Sequence, residues 1–215
     1  MKKNQKRCLF AAIGLLAAFA LWTVLLRTVD VGAIGPCGST VGLATLNHRF
    51  HGLTGVHLWL YVVTDWLGLV PIGVALSFAV LGLAQWIARG RLWRVDRDIR
   101  ALGVFYAAVM AVYVLFELVV VNRRPVLLDG YLEASYPSST TVLVLCVIPT
   151  AMLQARARIQ SKGVRRFALL AMACFTLFMV VGRLLSGVHW LTDVVGGILL
   201  SAGLVLLYQA FAHPK

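Results

Sequence analysis

An all-α membrane protein of six transmembrane helices is the fold class this sequence predicts, and three observations predict it. Of its 215 residues, 60% are hydrophobic and 13% charged, with mean hydropathy +0.87, whereas a soluble domain carries roughly 45–50% apolar and about 25% charged residues. Six apolar stretches approach the roughly 20 residues needed to cross about 30 Å of hydrocarbon. The lysines and arginines fall unevenly between the loops that those stretches leave. A water-soluble monomer is excluded, and so is intrinsic disorder, which needs low hydrophobicity and high charge. The formal net charge of +12, from 20 Lys and Arg against 8 Asp and Glu, raises nucleic acid as a partner. In so apolar a chain, loops between membrane spans are the first place to seek its meaning.

The first span is expected near 9–27. Met1-Lys2-Lys3 through Arg7 is a basic leader, but the apolar run from Leu9 to Leu26 exceeds the roughly 7–15 residues of a secretory h-region, and no small-residue cleavage pattern precedes Arg27. The segment therefore reads as a retained helix. The 28–65 stretch carries Gly35-Pro36, Gly38-Ser39, His48, His51 and His57, which suits an extracytoplasmic loop with some short helix at the interface. Further spans are expected near 66–88, 101–121, 140–155, 166–183 and 192–212. The fourth is short, and Gly, Ser and Thr at the ends soften every boundary. Cys8, Cys37, Cys146 and Cys174 follow no metal-ligand spacing, and only Cys37 would face outside, so no structural disulfide is expected.

Sorting the cations tests the six-span reading independently of hydropathy. Fifteen fall on one side: Lys2, Lys3, Lys6 and Arg7 at the amino terminus, five arginines in 89–100, five cations in 154–166, and Lys215. The other side holds Arg27, Arg49, Arg123, Arg124 and Arg183. Positive residues accumulate on the cytoplasmic side, so both termini are expected inside, with 1–215 forming a single multi-pass domain of the cell membrane. Nucleic acid is not expected as a partner.

The remaining polar residues gather at the opposite surface. Arg123-Arg124-Pro125 follows the third span, Tyr136-Pro137-Ser138-Ser139-Thr140 opens the fourth, and Arg183 through Asp193 links the last two. His189 and Asp193 are four apart, so on a helix they share a face, and the carboxylate can hold the imidazole nitrogen that is not reacting. That is how a nucleophile is activated. Arg124 and Arg183 are permanently charged forks that match phosphate oxygens. The turn at Pro137, Ser138, Ser139 and Thr140 offers backbone N–H groups at a helix start, where an anion is favoured. Each feature has an ordinary explanation alone: a hydrogen-bonded His–Asp pair, a snorkelling arginine, a common helix start. Their coincidence on one face points to phosphoryl transfer.

These spacings resemble the type 2 phosphatidic acid phosphatase family, six-helix membrane enzymes sharing a catalytic core with soluble haloperoxidases and acid phosphatases. The family reads Lys-x6-Arg-Pro, Pro-Ser-Gly-His and Ser-Arg-x5-His-x3-Asp. Here the elements read Glu117-x6-Arg124-Pro125, Pro137-Ser138-Ser139-Thr140 and Gly182-Arg183-x5-His189-x3-Asp193. The resemblance implies a phosphatase/haloperoxidase-like helical core in which His189 attacks phosphorus to form a phosphohistidine and Asp193 orients it. It implies that Arg124, Arg183, Ser138 and the amides around Ser139 bind the phosphate of a lipid phosphate or diphosphate at the extracytoplasmic face.

Four of the eleven motif positions depart from the family, Glu117, Ser139, Thr140 and Gly182, and two of these bear directly on the chemistry. Glu117 replaces a phosphate-binding lysine, and Thr140 replaces the histidine that protonates the leaving group; a threonine hydroxyl is no acid near neutral pH. One reading supplies another acid, either Glu117 or an extracytoplasmic histidine such as His48, His51 or His57. Glu117 is equally a charge partner, paired with Arg124 or Arg183. A second reading needs no acid, because a lipid diphosphate, such as an isoprenyl one, expels a good leaving group. A third is a catalytically degenerate member that binds or transports lipid headgroups, with Glu117, Asp65 and Arg124 lining the route. No cofactor is called for, and no metal: His48, His51 and His57 have no carboxylate set among them.

Overall fold

The structure, a computed structural model, describes residues 3–212; Lys2 and Lys215 of the cation count lie outside the described residues. Eight α-helices follow one another: α1 (Lys3–Thr28), α2 (Ala44–Thr54), α3 (Leu58–Leu67), α4 (Leu69–Arg89), α5 (Arg97–Leu118), α6 (Ser139–Arg158), α7 (Lys162–Leu185) and α8 (Leu191–Ala212). Among the described residues, six helical segments are long and apolar enough to cross a membrane, α3 and α4 together forming the second. That second span begins at Leu58 rather than near 66, because after the short break at 55–57 the apolar Leu58–Leu67 stretch is itself helical. The break between α3 and α4 falls at Gly68. Pro71 lies in the first turn of α4, and its ring clashes with a carbonyl four residues back, at Leu67, so one continuous helix is interrupted there. The short helix expected within 28–65 is α2.

Leu76, Val80, Ile87, Leu170 and Leu177 are all exposed. An apolar exterior of this kind suits helices solvated by lipid, where every backbone polar group is met within its own helix. The inner helices are α6 and α8, with more than half and half, respectively, of their most apolar window buried. Polar and small residues punctuate their otherwise apolar interior faces: Thr140, Thr141, Thr150 and Gln154 on α6, and Gly196, Gly197, Ser201 and Gly203 on α8. Small residues let helices approach where no hydrophobic force distinguishes partner from lipid. Gly203 receives Leu16 of α1, and Gly196 lies against the Tyr136 ring. Tyr136 stacks on Phe19, with ring centroids 6.0 Å apart, meets Phe116 edge-on at 5.8 Å, and shares a 2.7 Å hydrogen bond with Thr23.

Thirteen of the fifteen cations assigned to one side lie within the described residues. All thirteen sit at the same end of the bundle: the starts of α1, α5 and α7 and the ends of α4 and α6. Three ion pairs knit that end together: Arg89 to Asp96 at 2.7 Å, Arg158 to Asp98 at 2.8 Å, and Arg158 to Asp96 at 3.7 Å. The ends of α1, α5 and α7 and the starts of α6 and α8 form the opposite end, where the polar motifs meet.

Candidate active site

Between α5 and α6 the chain folds back as a short hairpin. Arg123 and Ala134 pair across it, Ser135 N–H donates to the Asn122 carbonyl at 2.9 Å, and Arg124 N–H donates to the Glu133 carbonyl at 3.1 Å. Its tip is Asp129-Gly130, both with positive φ (49° and 82°), the two-residue turn whose twist suits antiparallel strands. The hairpin sets Asn122 and Ser135 side by side over the start of α8.

There they hold Asp193, which is fully buried. Asn122 Nδ2 donates to Oδ1 at 3.0 Å, Trp190 N–H donates to Oδ2 at 2.9 Å, and the Ser135 hydroxyl donates to Oδ2. His189 is not on the helix with Asp193, as the four-residue spacing suggested, but in the turn before α8. The turn places Nδ1 3.9 Å from Asp193 Oδ2, too far for a hydrogen bond. Ser135 Oγ, 3.1 Å from Nδ1, stands between them. On the other side of the ring, Arg124 Nη1 lies 3.3 Å from Nε2. A guanidinium only donates, so Nε2 carries its lone pair toward Arg124, and Nδ1–H points to Ser135. Burial, and then the charges of Arg124 and Arg183, hold the imidazole well below the 6.5 of a free histidine.

Both arginines of the motifs come to this end of the bundle, and both are buried, Arg183 at 2% exposure and Arg124 at 7%. Their carboxylate partners are not Glu117, as one reading of the sequence had it. Arg124 Nε lies 3.0 Å from Glu133 Oε2, and Arg183 Nη2 lies 3.2 Å from Asp65 Oδ1. Arg183 Nη1 also donates to Thr64 Oγ1 at 3.3 Å, and its guanidinium sits 4.8 Å over the Tyr61 ring. The Nε–H of each arginine is buried without a hydrogen bond, the Glu133 contact being an ion pair whose angle does not aim the N–H at the oxygen. Unpaired buried donors are rare, because each costs roughly 1–3 kcal/mol of lost solvation.

The Pro137–Thr140 turn arrives differently from expectation. Ser138 is fully buried; its N–H donates to the Asp193 carbonyl at 3.1 Å, and its hydroxyl accepts from Thr141 at 3.0 Å. Its amide thus fastens α6 to α8. Ser139 and Thr140, together with Ser135 and His189, line an apolar cavity of about 1320 Å³ between α4, α5 and α6, and Glu117 lines it too from the last turn of α5, near Tyr113. The cavity extends past Phe78 and Leu102 to Trp93 and Arg100 at the basic end. None of the three loop histidines lines it. His51 donates to the Gly187 carbonyl at 3.1 Å, His57 donates to the Thr54 carbonyl at 2.9 Å, and His48 is exposed on α2.

Sequence reasoning missed Asn122, Ser135 and Glu133. The signal for the first two was the turn-forming Asp129-Gly130 pair, which makes a hairpin of the segment and brings its two ends together. Chemically, the assembly offers a neutral, oriented imidazole nitrogen beside two buried guanidiniums at the head of an apolar channel.

A family model for the PAP2 superfamily matches residues 101–214. Among curated proteins no sequence matches the chain. Among solved structures, the fold is similar to the crystal structure of a transmembrane PAP2 type phosphatidylglycerolphosphate phosphatase from Bacillus subtilis, with TM-score 0.58 and 16% identity over 94% of this chain and 96% of that one. The family match takes in α5 to α8 and the hairpin, more than half of the chain, and the protein therefore belongs to the PAP2 superfamily.

Proposed function

We propose that the protein is a membrane phosphatase that removes phosphate from a lipid phosphate or diphosphate through a phosphohistidine on His189, at the extracytoplasmic face. The observation that carries this reading is an imidazole whose Nε2 lone pair faces the buried Arg124 guanidinium, with the charge of buried Arg183 also acting on it, while the Nε–H of each arginine makes no hydrogen bond. Such donors call for an acceptor, and phosphate oxygens match the guanidinium fork. His189 Nε2 attacks phosphorus, the two arginines stabilise the charge spread over the equatorial oxygens, and Asp193 steadies the imidazole ring through Ser135. Water then attacks the phosphohistidine and frees phosphate. The roles of Ser139 and Thr140 are at the helix start beside the phosphate, and that of Ser138 is to hold this start against α8. The lipid tail lies in the apolar cavity. The resemblance of the whole bundle to a phosphatase acting on a phosphorylated glycerolipid supports a lipid phosphate as substrate.

Phosphate release by the protein in detergent, from phosphatidic acid and from an isoprenyl diphosphate, tests the reading. His189→Ala is expected to lower release by about ten-thousand-fold or more with the unfolding temperature kept. Unchanged release would favour a headgroup-binding or transport role instead.

A further inference from the structure

The hydrogen bonds that the Arg183 side chain makes all go to one helix, α3, which contains none of the family motifs. Nη1 donates to Thr64 Oγ1 at 3.3 Å and to the Tyr61 carbonyl at 3.4 Å, and Nη2 donates to Asp65 Oδ1 at 3.2 Å. The Thr64 hydroxyl gives its own proton to the Leu60 carbonyl at 2.8 Å, so it turns a lone pair to Arg183. A guanidinium has five N–H groups. Those that remain are the Nε–H, which is buried without a hydrogen bond, and one on Nη2. Nε and Nη2 share an edge of the planar fork, the spacing that takes two oxygens of one phosphate.

α3 comes this close because residue 182 has no side chain. A Cβ on Gly182 would lie 2.8 Å from Thr64 Cγ2 and 3.6 Å from Leu60 Cδ1, and the phosphatase family has serine at this position. Leu60 and Thr64 are buried there. His57 N–H donates to the Ser186 carbonyl at 2.9 Å, which fastens the start of α3 to the turn that follows α7. The departure at Gly182 and the reach of α3 to Arg183 are therefore one feature of the packing.

We infer that Asp65 is a positioning residue of the reaction: from α3 it holds the Nη2 end of Arg183 so that the free edge of the fork meets the transferred phosphate, a role that rests on Arg183 binding that phosphate. Attraction is not what the carboxylate contributes, since a negative charge 3.2 Å from the guanidinium offsets part of its pull on an anion. Its contribution is direction. An arginine side chain has about 2 kcal/mol of rotamer entropy to lose, and donors fixed in advance on the oxygens of the transition state are those that accelerate the step. Loss of Asp65 therefore falls on the transition state and spares the bound ground state. Its side chain is 55% exposed, so truncation opens no cavity in the core.

Turnover of phosphatidic acid is measured in detergent on the wild type, Asp65→Ala, Asp65→Asn, Gly182→Ser, Arg183→Ala and the double variant of Asp65→Ala with Arg183→Ala. Titration calorimetry on the same proteins follows inorganic phosphate and vanadate, whose five-coordinate form resembles the transition state. Asp65→Ala is expected to lower kcat about 10- to 100-fold and to weaken vanadate by a similar factor, with KM and phosphate affinity kept within about threefold. Asp65→Asn keeps an acceptor oxygen and is expected to restore most of both losses. Gly182→Ser pushes α3 off α7 and is expected to reproduce the pattern of Asp65→Ala. In the Arg183→Ala background, loss of Asp65 is expected to cost nothing further, because a residue acting through another is not additive with it. Unchanged kcat in Asp65→Ala, equal weakening of phosphate and vanadate, or additive losses in the double variant would overturn the role of Asp65. Calorimetry needs no turnover, so the reading beneath is tested apart: anion binding indifferent to Arg183→Ala would remove Arg183 from the site and the role of Asp65 with it. Turnover indifferent to His189→Ala would overturn the nucleophile and leave the Asp65 result standing.

Discussion

Ser135 ties the site's two best-marked residues together, although no motif contains it. Its hydroxyl lies 3.1 Å from His189 Nδ1 and donates to Asp193, so the carboxylate orients the ring through an intermediary. Ser135→Ala is expected to lower kcat roughly 10- to 100-fold, as loss of an orienting partner does at other histidine sites, with KM little changed because Ser135 holds the nucleophile rather than the substrate. A larger effect on KM than on kcat would contradict this role. The His189 imidazole is held below 6.5 by burial and by Arg124 and Arg183, and in the proposed mechanism only its neutral form attacks. Since kcat/KM reports groups of the free enzyme, activity is expected to persist as pH falls to 6.5 and to decline only below it. An acid limb centred at or above 6.5 would show the imidazole to be unshielded. Arg124, Arg183, His189 and Asp193 could be singled out because a few residue types perform phosphate chemistry at recognisable spacings, and the structure brings all four to one end of the bundle. Glu133 and Asn122 were not, because a lone Glu or Asn in a loop carries no periodic signal, and what they touch depends on a hairpin register.

At the scale of elements, hydropathy placed all six spans, and edges moved where local chemistry competed with it. α5 starts at Arg97 rather than near 101 and α7 at Lys162 rather than near 166, since helices continue past the hydrocarbon boundary once their backbone can be met by water. The α3–α4 break was written in Gly68 and Pro71. The pairing of helices was less visible, because it rests on single glycines. α1 and α8 form the most extensive helix contact, and a side chain at Gly203 would press on Leu16, whereas Gly14 on α1 faces open space. Gly203→Leu is expected to destabilise by about 1–3 kcal/mol through overpacking, seen as a lower unfolding temperature in detergent. Gly14→Ala is expected to be neutral or mildly stabilising, as alanine replaces glycine within a helix. Equal effects of the two would show that α1 does not pack on α8 through this face.

For the molecule as a whole, the excess of positive charge is an address. In the proposed topology the cations that crowd one end of the bundle hold that end inside the cell, and the few at the other end include Arg124 and Arg183. Cys37 is exposed in the loop after α1, at the end that holds His189, whereas Cys174 lies within α7. A membrane-impermeant maleimide is therefore expected to label Cys37 in intact cells; labelling only after permeabilisation would place the site on the cytoplasmic face. The cavity running from His189 toward the basic end matches the proposed lipid phosphate, with a polar head site at one surface and an apolar channel behind it. That coupling of head site to channel was beyond the sequence, because Phe78, Leu102 and Thr140 meet only when three helices pack.

Covalent phosphorylation of His189 is open to direct trapping as an acid-sensitive, base-stable label from radiolabelled phosphatidic acid. Label is expected on the peptide containing His189 within a single turnover, and none on His189→Ala. Release of phosphate without such an adduct, or label that survives the substitution, would contradict it.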